Sequence, residues 1–595
     1  MTARRVGAGA LVFAATLAVF AVGITNGHLN LDDWGYTAGC AFVRGGLSLA
    51  NVRTAFADLG HGGIWMPLTS LSYMADFSLF GGGWTVHHAV NAVLHAANAV
   101  LVLLFLRALL GARVRPWACA AAALLWAVHP MRVEAVTWIA SRKEELWTLF
   151  ALAGLLVWTR CLVRGGKGLY LATLALFAAS MLAKPTAVCL PVLAYLTARF
   201  VAPTAPRRLG RYLPMLACAL AVGFVAVVSQ TRPTGLDAVD LADTSVAWRL
   251  LNAAVSLGLY VSHVVWPVNL HLDYRAVFGG WPLNGWQGLL VLAATVGAVG
   301  CAGTRLASAP ARRLVGYAAW AALVAVLPVL GLLGVTGDKA YADRYAYLPA
   351  AFLALLVAAA LEALARRRAG FAAAVAGVLA VGEIALSVPT IRAFGSDRTI
   401  YARVWADDPD HWRALRVLGA EACARENRLA DGIAMLRKSL RLRPSAFTAA
   451  SLAYVLAIRG EPGDFADVRR LGAGVSKNVR RDREGLMLDA LAIAAFREED
   501  DEEAVRLFGA ALTAPVRSHN NLHAMLNFGY ALANVGRTQE ALGLFAKLRA
   551  VSDMGIRRRA AEAAAQVQAG AFARFAWLED RPSSAGCDFN SLKNR

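Results

Sequence analysis

Two adjacent carboxylates stand in the stretch Asn30-Leu31-Asp32-Asp33-Trp34-Gly35-Tyr36, directly after the first long apolar run, residues 6–24. Ionisable groups at the edge of a bilayer are costly unless they are paired or used, so Asp32-Asp33 is the first candidate for chemistry. Further polar residues stand between later apolar runs: His61, Trp65, His87, His88, His129, Arg132, Glu134, Arg142, Lys143, Glu144, Lys184, Asp273, Asp338, Asp343 and Arg344. The set combines cations suited to a phosphate with carboxylates suited to acid–base work. Glycosyl transfer from a lipid phosphate needs both. The departing phosphate carries negative charge that Arg or Lys stabilises, and an attacking hydroxyl needs a carboxylate to take its proton.

The elements that must position these residues are apolar helices. Of 595 residues, 58% are hydrophobic and 17% charged, too apolar for an ordinary soluble chain of this length. Eleven stretches are read as spans: 6–24, 86–110, 117–130, 145–163, 169–183, 186–201, 212–229, 287–303, 314–334, 348–364 and 371–390. The formal charge of +20 is concentrated in loops. Arg4-Arg5, Arg113-Arg115, Arg160-Arg164-Lys167, Arg207-Arg208-Arg211, Arg305-Arg312-Arg313 and Arg366-Arg367-Arg368 fall on alternate sides of these spans, so they share one face, the cytoplasmic one by the positive-inside rule. The loops with Asp32-Asp33 and the other polar candidates then face outward. Stretch 247–266 reads either as an interfacial helix or as a twelfth span, and a twelfth span would move everything after residue 390 to the cytoplasm. No zinc finger, RNA-binding signature or basic zipper region is present. The eight cysteines form no CxxC pair and no disulfide framework. The amino-terminal run reads as an uncleaved first helix, not a signal peptide.

Past residue 391 charged residues return with helical periodicity. Segments recur at roughly 34–37 residues, near the tetratricopeptide period. The clearest are Leu526-x-x-Gly529 with Ala541 and Phe545, Leu488-x-x-Leu491-Ala492 with Ala504, Phe508, Ala511 and Pro515, and Leu415-x-x-Leu418-Gly419 to Pro444; residues 445–480 would hold a degenerate copy. Stacked pairs of this kind share one core and present a concave surface; a plain helical bundle is the alternative. The expected architecture is all-α, with a polytopic membrane domain over 1–390, a tetratricopeptide-repeat α-solenoid over 391–570 and a cap or tail over 571–595.

The stretch His129-Pro130-Met131-Arg132-Val133-Glu134-Ala135-Val136-Thr137-Trp138-Ile139-Ala140-Ser141-Arg142-Lys143-Glu144 resembles the HPxHxEAVxWIxxRKE segment of the transmembrane and tetratricopeptide-repeat O-mannosyltransferase family and its bacterial relatives. Supporting pieces follow in order: Asp32-Asp33, Trp65-x-Pro67-Leu68-Thr69-x-Leu71-Ser72, Lys184-Pro185, Trp266-Pro267-Val268-Asn269-Leu270 and Ala342-Asp343-Arg344-Tyr345-x-Tyr347-Leu348-Pro349. The resemblance implies a C-class glycosyltransferase fold, a polyprenyl-phosphate sugar donor with mannose as the expected sugar, and an acidic catalytic base in the first outward loop. By position that role falls on Asp32-Asp33, with Asp33 slightly favoured. Arg132 stands where many members have a second His.

On this reading His129, Glu134, Arg142, Lys143, Lys184, Asp343, Arg344 and Tyr345 are candidate substrate-binding residues. Arg or Lys at 142–143, 184 and 344 would hold the phosphate, and Tyr345 would stack on a sugar. Structural uses compete: a buried hydrogen-bonded His129, ion pairs through Glu134, Arg142 and Asp343-Arg344, and lysines reaching toward headgroups. His87-His88 reads as packing. No metal-ligand spacing is present, although paired acids leave room for a divalent ion. The expected acceptor is a Ser or Thr hydroxyl of an exported protein at the outer face of the cytoplasmic membrane, with the repeat domain on that side binding acceptor protein or partners. The rivals are transfer to a lipid or polysaccharide, and a non-enzymatic membrane scaffold.

Overall fold

A computed structural model describes residues 3–59, 64–204, 206, 208–230, 245–274, 284–305, 308–332, 341–425, 428–475, 484–513, 522–551 and 554–570. His61, Arg207, Asp338, Pro515, Cys587 and the expected tail 571–595 lie outside the described residues. Among the described residues every regular element is helical, so the all-α expectation holds. The chain divides into two compact units, Met1–Ile400 and Tyr401–Arg595.

Among the described residues of the first unit six helices are long and apolar enough to cross a bilayer: Trp84–Arg113, Ile139–Arg164, Leu209–Ser229, Ala309–Val329, Asp343–Arg367 and Ala369–Ala393. Of the other expected spans, 6–24 falls on helix Ala3–Phe20 continued by the turn Ala21–Gly23 and 287–303 on the 22-residue helix Asn284–Arg305, whereas 169–183 and 186–201 fall on the shorter apolar helices Lys167–Ala183 and Pro185–Val201, where a straight crossing needs about 20 residues. The remaining one, 117–130, is not a continuous helix. Helix Pro116–Val128 stops and the chain turns through 57° into Pro130–Thr137. The cause is local. Pro130 disfavours helical backbone at the residue before it, and His129 is extended at φ −62°, ψ 134°. The same chemistry ends helix Lys167–Ala183, where Lys184 is extended at φ −156°, ψ 129° ahead of Pro185. Stretch 247–266 is helix Val246–Val265, two-faced: Asn252, Ala253, Val255, Ser256, Leu259 and Tyr260 are buried, whereas Val246, Leu250, Leu251 and Val265 are exposed.

Broken helices leave carbonyls without partners, and the neighbouring helices supply donors. Trp84–Leu110 packs against Pro116–Val128 and Arg142–Arg164. From it, His95 Nε2 donates to the Ala127 carbonyl (2.9 Å) while its Nδ1 accepts from the Tyr347 hydroxyl (2.6 Å), and Asn91 Nδ2 donates to the Val136 carbonyl (3.1 Å). The Ser387 hydroxyl donates to the Val128 carbonyl at 2.7 Å. Polar residues that look out of place in an apolar helix thus satisfy the backbone of the break beside them.

The second unit is a run of helical hairpins, Trp412–Arg425 with Leu429–Leu442, Ala446–Arg459 with Asp464–Val475, Glu484–Arg497 with Asp501–Thr513, and Leu522–Asn534 with Thr538–Leu548, followed by Met554–Gln568. One continuous core of Leu, Ala, Ile and Phe extends from Cys423 to Val567. Close approach inside a hairpin depends on missing side chains. A Cβ on Gly432 would lie 2.6 Å from the Gly419 carbonyl oxygen and collide with Cys423 Sγ, and one on Gly529 would meet the Phe545 ring. Gly432→Val therefore costs this unit about 1–3 kcal/mol of overpacking strain, seen as an earlier thermal transition of the full-length chain; an unchanged transition disproves the close approach.

Candidate active site

Asp32 and Asp33 are adjacent but differently used. Asp33 is 1% exposed and opens the short helix Asp33–Tyr36. Its Oδ2 accepts the Leu29 N–H at 2.8 Å and its Oδ1 accepts the Ala140 N–H at 2.8 Å. Both oxygens are therefore engaged, one with the first loop and one with the segment that begins at His129. Burial pushes the Asp33 carboxyl up to about 7, against the pull of those two amides, and repulsion from Asp32 and Asp397 adds to the rise. Asp32 is half-buried, and its carboxylate makes no capping hydrogen bond to the helix that follows. The charges acting on Lys143 are Asp32 together with Arg344, Lys184 and Glu144.

Lys184, Arg344 and Glu144 gather around Lys143, which also feels the charge of Asp32, and Glu134 joins them through Arg344. Lys143 Nζ donates to the Ala140 carbonyl at 2.9 Å and sits 4.6 Å from the centre of the Tyr36 ring. Lys184 is ion-paired to Glu144, whose other oxygen accepts from Trp147 Nε1 at 2.9 Å. Burial pulls the Lys184 ammonium below its ordinary range, with Glu144 opposing. Arg344 is ion-paired to Glu134, which also accepts the Arg344 backbone N–H at 2.9 Å. Tyr345 lies under both: Lys184 Nζ is 4.9 Å and Arg344 Cζ 4.7 Å from its ring centre. Trp138 flanks Arg344 at 5.0 Å. Among the described residues Lys143 has no carboxylate at ion-pair distance, and of its three donors only the one to Ala140 is spent within the chain. A half-buried carboxylate beside an ammonium with spare donors, backed by two paired cations and an aromatic ring, can take a proton from a hydroxyl and hold a phosphate together.

Asp32, Glu134, Lys143, Lys184, Arg344 and Tyr345 come together; three other expected site residues are used elsewhere. Arg142 is fully enclosed and spends its guanidinium on Asp76 (2.6 Å), the Asn91 amide oxygen (2.7 Å) and the His87 carbonyl (3.0 Å), stacked 4.4 Å over Tyr73. His129 has both nitrogens occupied: Nδ1 accepts from the Met131 N–H (3.2 Å) and Nε2 donates to the Val264 carbonyl (3.1 Å). Asp343 accepts from the hydroxyls of Tyr274 (2.9 Å) and Tyr341 (3.0 Å) in an aromatic cluster with Tyr260 and His263. These groups hold the walls of the site. Arg132, the departure from the family pattern, donates to the carbonyls of Ala346 (2.7 Å) and Tyr347 (3.1 Å), where helix Tyr347–Arg367 begins. Asp76, Tyr36 and Asp397 were not legible as site residues. Asp76 lies mid-helix without a motif, and the other two matter only through their neighbours. Among the described residues no group of three or more His, Cys, Asp or Glu side chains is placed to hold a metal ion.

Two measurements check these assignments. Arg142→Ala takes the permanent cation away from buried Asp76 and leaves it the His87 ring at 2.6 Å, which costs about 3–5 kcal/mol; the loss registers as a lower melting temperature, and a stable variant with only weakened substrate binding contradicts it. A carboxyl held above its ordinary value keeps its proton in the folded chain where the unfolded chain has lost it. The stabilisation from Asp33 is therefore full below about 4 and is lost as pH rises through about 7, at up to about 1.4 kcal/mol per pH unit. Between pH 5 and 7 the wild type should lose more thermal stability than Asp33→Asn; parallel curves contradict the burial argument.

No protein-family model matches the chain. It is similar to protein O-mannosyl-transferase Tmtc1 of Drosophila melanogaster, 33% identical over 154 residues, which is 24% of this chain and 17% of that protein. It is also similar to Tmtc2 of the same fly, 35% identical over 143 residues, 23% of this chain and 15% of that protein. With TMTC3 of Mus musculus it shares 36% identity over 96 residues, 16% of this chain and 10% of that protein. In each case the chain spans less than a fifth of the relative's length. All of these relatives are named protein O-mannosyl-transferases, and this chain is similar to them over 16–24% of its own length.

Proposed function

We propose that the chain is a membrane glycosyltransferase that moves a sugar, mannose, from a polyprenyl phosphate to a Ser or Thr hydroxyl of an exported protein. The observation that carries this reading is that Asp32 and Lys143 lie within electrostatic reach of each other without forming an ion pair. One is a half-buried carboxylate that makes no cap to the helix after it, and the other is a cation that, among the described residues, spends one hydrogen bond on Ala140. Asp32, not Asp33, is the base: Asp33 has given both oxygens to backbone amides. Asp32 takes the acceptor proton as the hydroxyl oxygen attacks the sugar's anomeric carbon. The bond from that carbon to the phosphate oxygen breaks, and the polyprenyl phosphate leaves with the added charge. Lys143 binds that charge directly. Lys184 and Arg344, held by Glu144 and Glu134, supply a fixed positive field that needs no reorganisation as the bond breaks. Tyr345 offers an aromatic face to the sugar.

Apolar helices long enough for a bilayer support the membrane setting, and the names of the relatives support transfer of mannose to protein. We read the first unit as a C-class glycosyltransferase bundle of about eleven spans, counting the short and broken helices as crossings. The site then lies at the outer face of the cytoplasmic membrane. We read the hairpins of the second unit, with their glycine contacts, as a tetratricopeptide solenoid on the same side that presents acceptor protein.

In membranes given a polyprenyl-phosphate sugar and an acceptor peptide, Asp32→Asn lowers transfer by about 10²–10⁴, the usual contribution of a general base, without shifting the melting temperature. Asp33→Asn lowers stability first, because one amide donor loses its acceptor. Full activity in Asp32→Asn rules out this assignment.

A further inference from the structure

The segment that carries Asp32 and Asp33 is held from the far end of the first unit. Asn26 Nδ2 donates to the Ile391 carbonyl at 2.8 Å, the Gly27 N–H donates to the Gly395 carbonyl at 3.2 Å, and the Asn30 N–H is shared by the two carboxylate oxygens of Asp397 at 3.1 Å each. The approach is close enough that a Cβ on Gly27 would lie 3.0 Å from the Gly395 carbonyl oxygen. His88 Nε2 is 3.0 Å from the Gly27 carbonyl on the other side. Asp397 is 6% exposed and opens helix Asp397–Asp407. Its carboxylate repeats on Asn30 what Asp33 does on Leu29, so two successive amides each end on a buried carboxylate. Opening the turn that leads into Asp32 would break the hydrogen bonds from the Leu29 and Asn30 amides to these carboxylates.

We propose that Asp397 is a positioning residue: it clasps the Asn30 N–H, next to the Ile391 and Gly395 carbonyls that hold Asn26 and Gly27, and so fixes the direction in which the Asp32 carboxylate points. The proposal rests on the reading of Asp32 as the base of a sugar transfer. Asp397 acts on the backbone of Asn30, so its loss is expected to change turnover and to leave donor binding in place.

The test uses the full-length chain as wild type, Asp397→Asn and Asp397→Ala. Amide hydrogen exchange is followed over residues 26–36 and over the control stretch 95–105. Transfer is measured with polyprenyl-phosphate mannose and an acceptor peptide. In Asp397→Ala, exchange over 26–36 rises at least tenfold with the control unchanged, kcat falls at least tenfold, and KM for the donor stays within twofold. Asp397→Asn keeps one acceptor oxygen and falls between, and it carries the test alone if the alanine variant does not fold. Unchanged exchange overturns the clasp. Faster exchange with unchanged kcat, or a rise in KM alone, overturns the positioning role. A wild type that transfers no sugar overturns the reading beneath the proposal, and exchange then decides the clasp by itself.

Discussion

The site depends first on the two amides that end on Asp33. The carboxylate accepts from Leu29 in the loop after the first apolar helix and from Ala140 more than a hundred residues later. A carboxylate in so apolar a setting must be solvated by the chain itself, and here the solvating groups belong to two separate segments. The same interaction that makes burial of Asp33 tolerable therefore joins the first loop to the His129–Glu144 stretch. Asp32, one residue earlier, is brought beside Lys143 as a consequence. The adjacent acids differ: Asp33 is consumed by the fold, whereas Asp32 is half-buried and makes no cap to the helix after it.

The same economy governs the rest of the polar interior. Breaks at His129-Pro130 and Lys184-Pro185 deliver polar backbone and side chains into an apolar bundle. Each break is compensated by donors on a facing helix, such as His95, Asn91 and Ser387. Ion pairs follow a similar logic. Glu134 holds Arg344 by guanidinium and backbone together, and Glu144 is itself oriented by Trp147 while it holds Lys184. Such pairs add little net stability when buried, but they keep cations charged and aimed at one place. Lys143, without a glutamate partner, is the member of the trio with capacity left for an incoming anion.

Much of this could be read from residue types alone. Apolar stretches of helical length and the charged, periodic region after residue 391 indicate a helical membrane part followed by helical hairpins. X–Pro pairs at 129–130 and 184–185 mark where helices must stop. The acidic pair and the cations at 143, 184 and 344 are identifiable because charge in an apolar chain needs a purpose. The expected span 117–130 shows the limit of that reading. Hydropathy counts apolar residues, whereas the backbone restriction before Pro130 decides whether they form one helix.

What sequence could not distinguish is which charged residues are spent on the fold. Arg142 and Lys143 are neighbours of like charge, yet one is enclosed by Asp76, Asn91 and His87 and the other faces Asp32. Asp32 and Asp33 differ in the same way, and Asp397 carries no motif at all although it holds the loop on which both stand. Charge and helical periodicity are local properties, and the residue order therefore determined that there would be helices, breaks and a cluster of ions. Whether a given ion keeps a free lone pair or a spare donor depends on partners tens to hundreds of residues away, and only tertiary packing brings those partners within hydrogen-bond range.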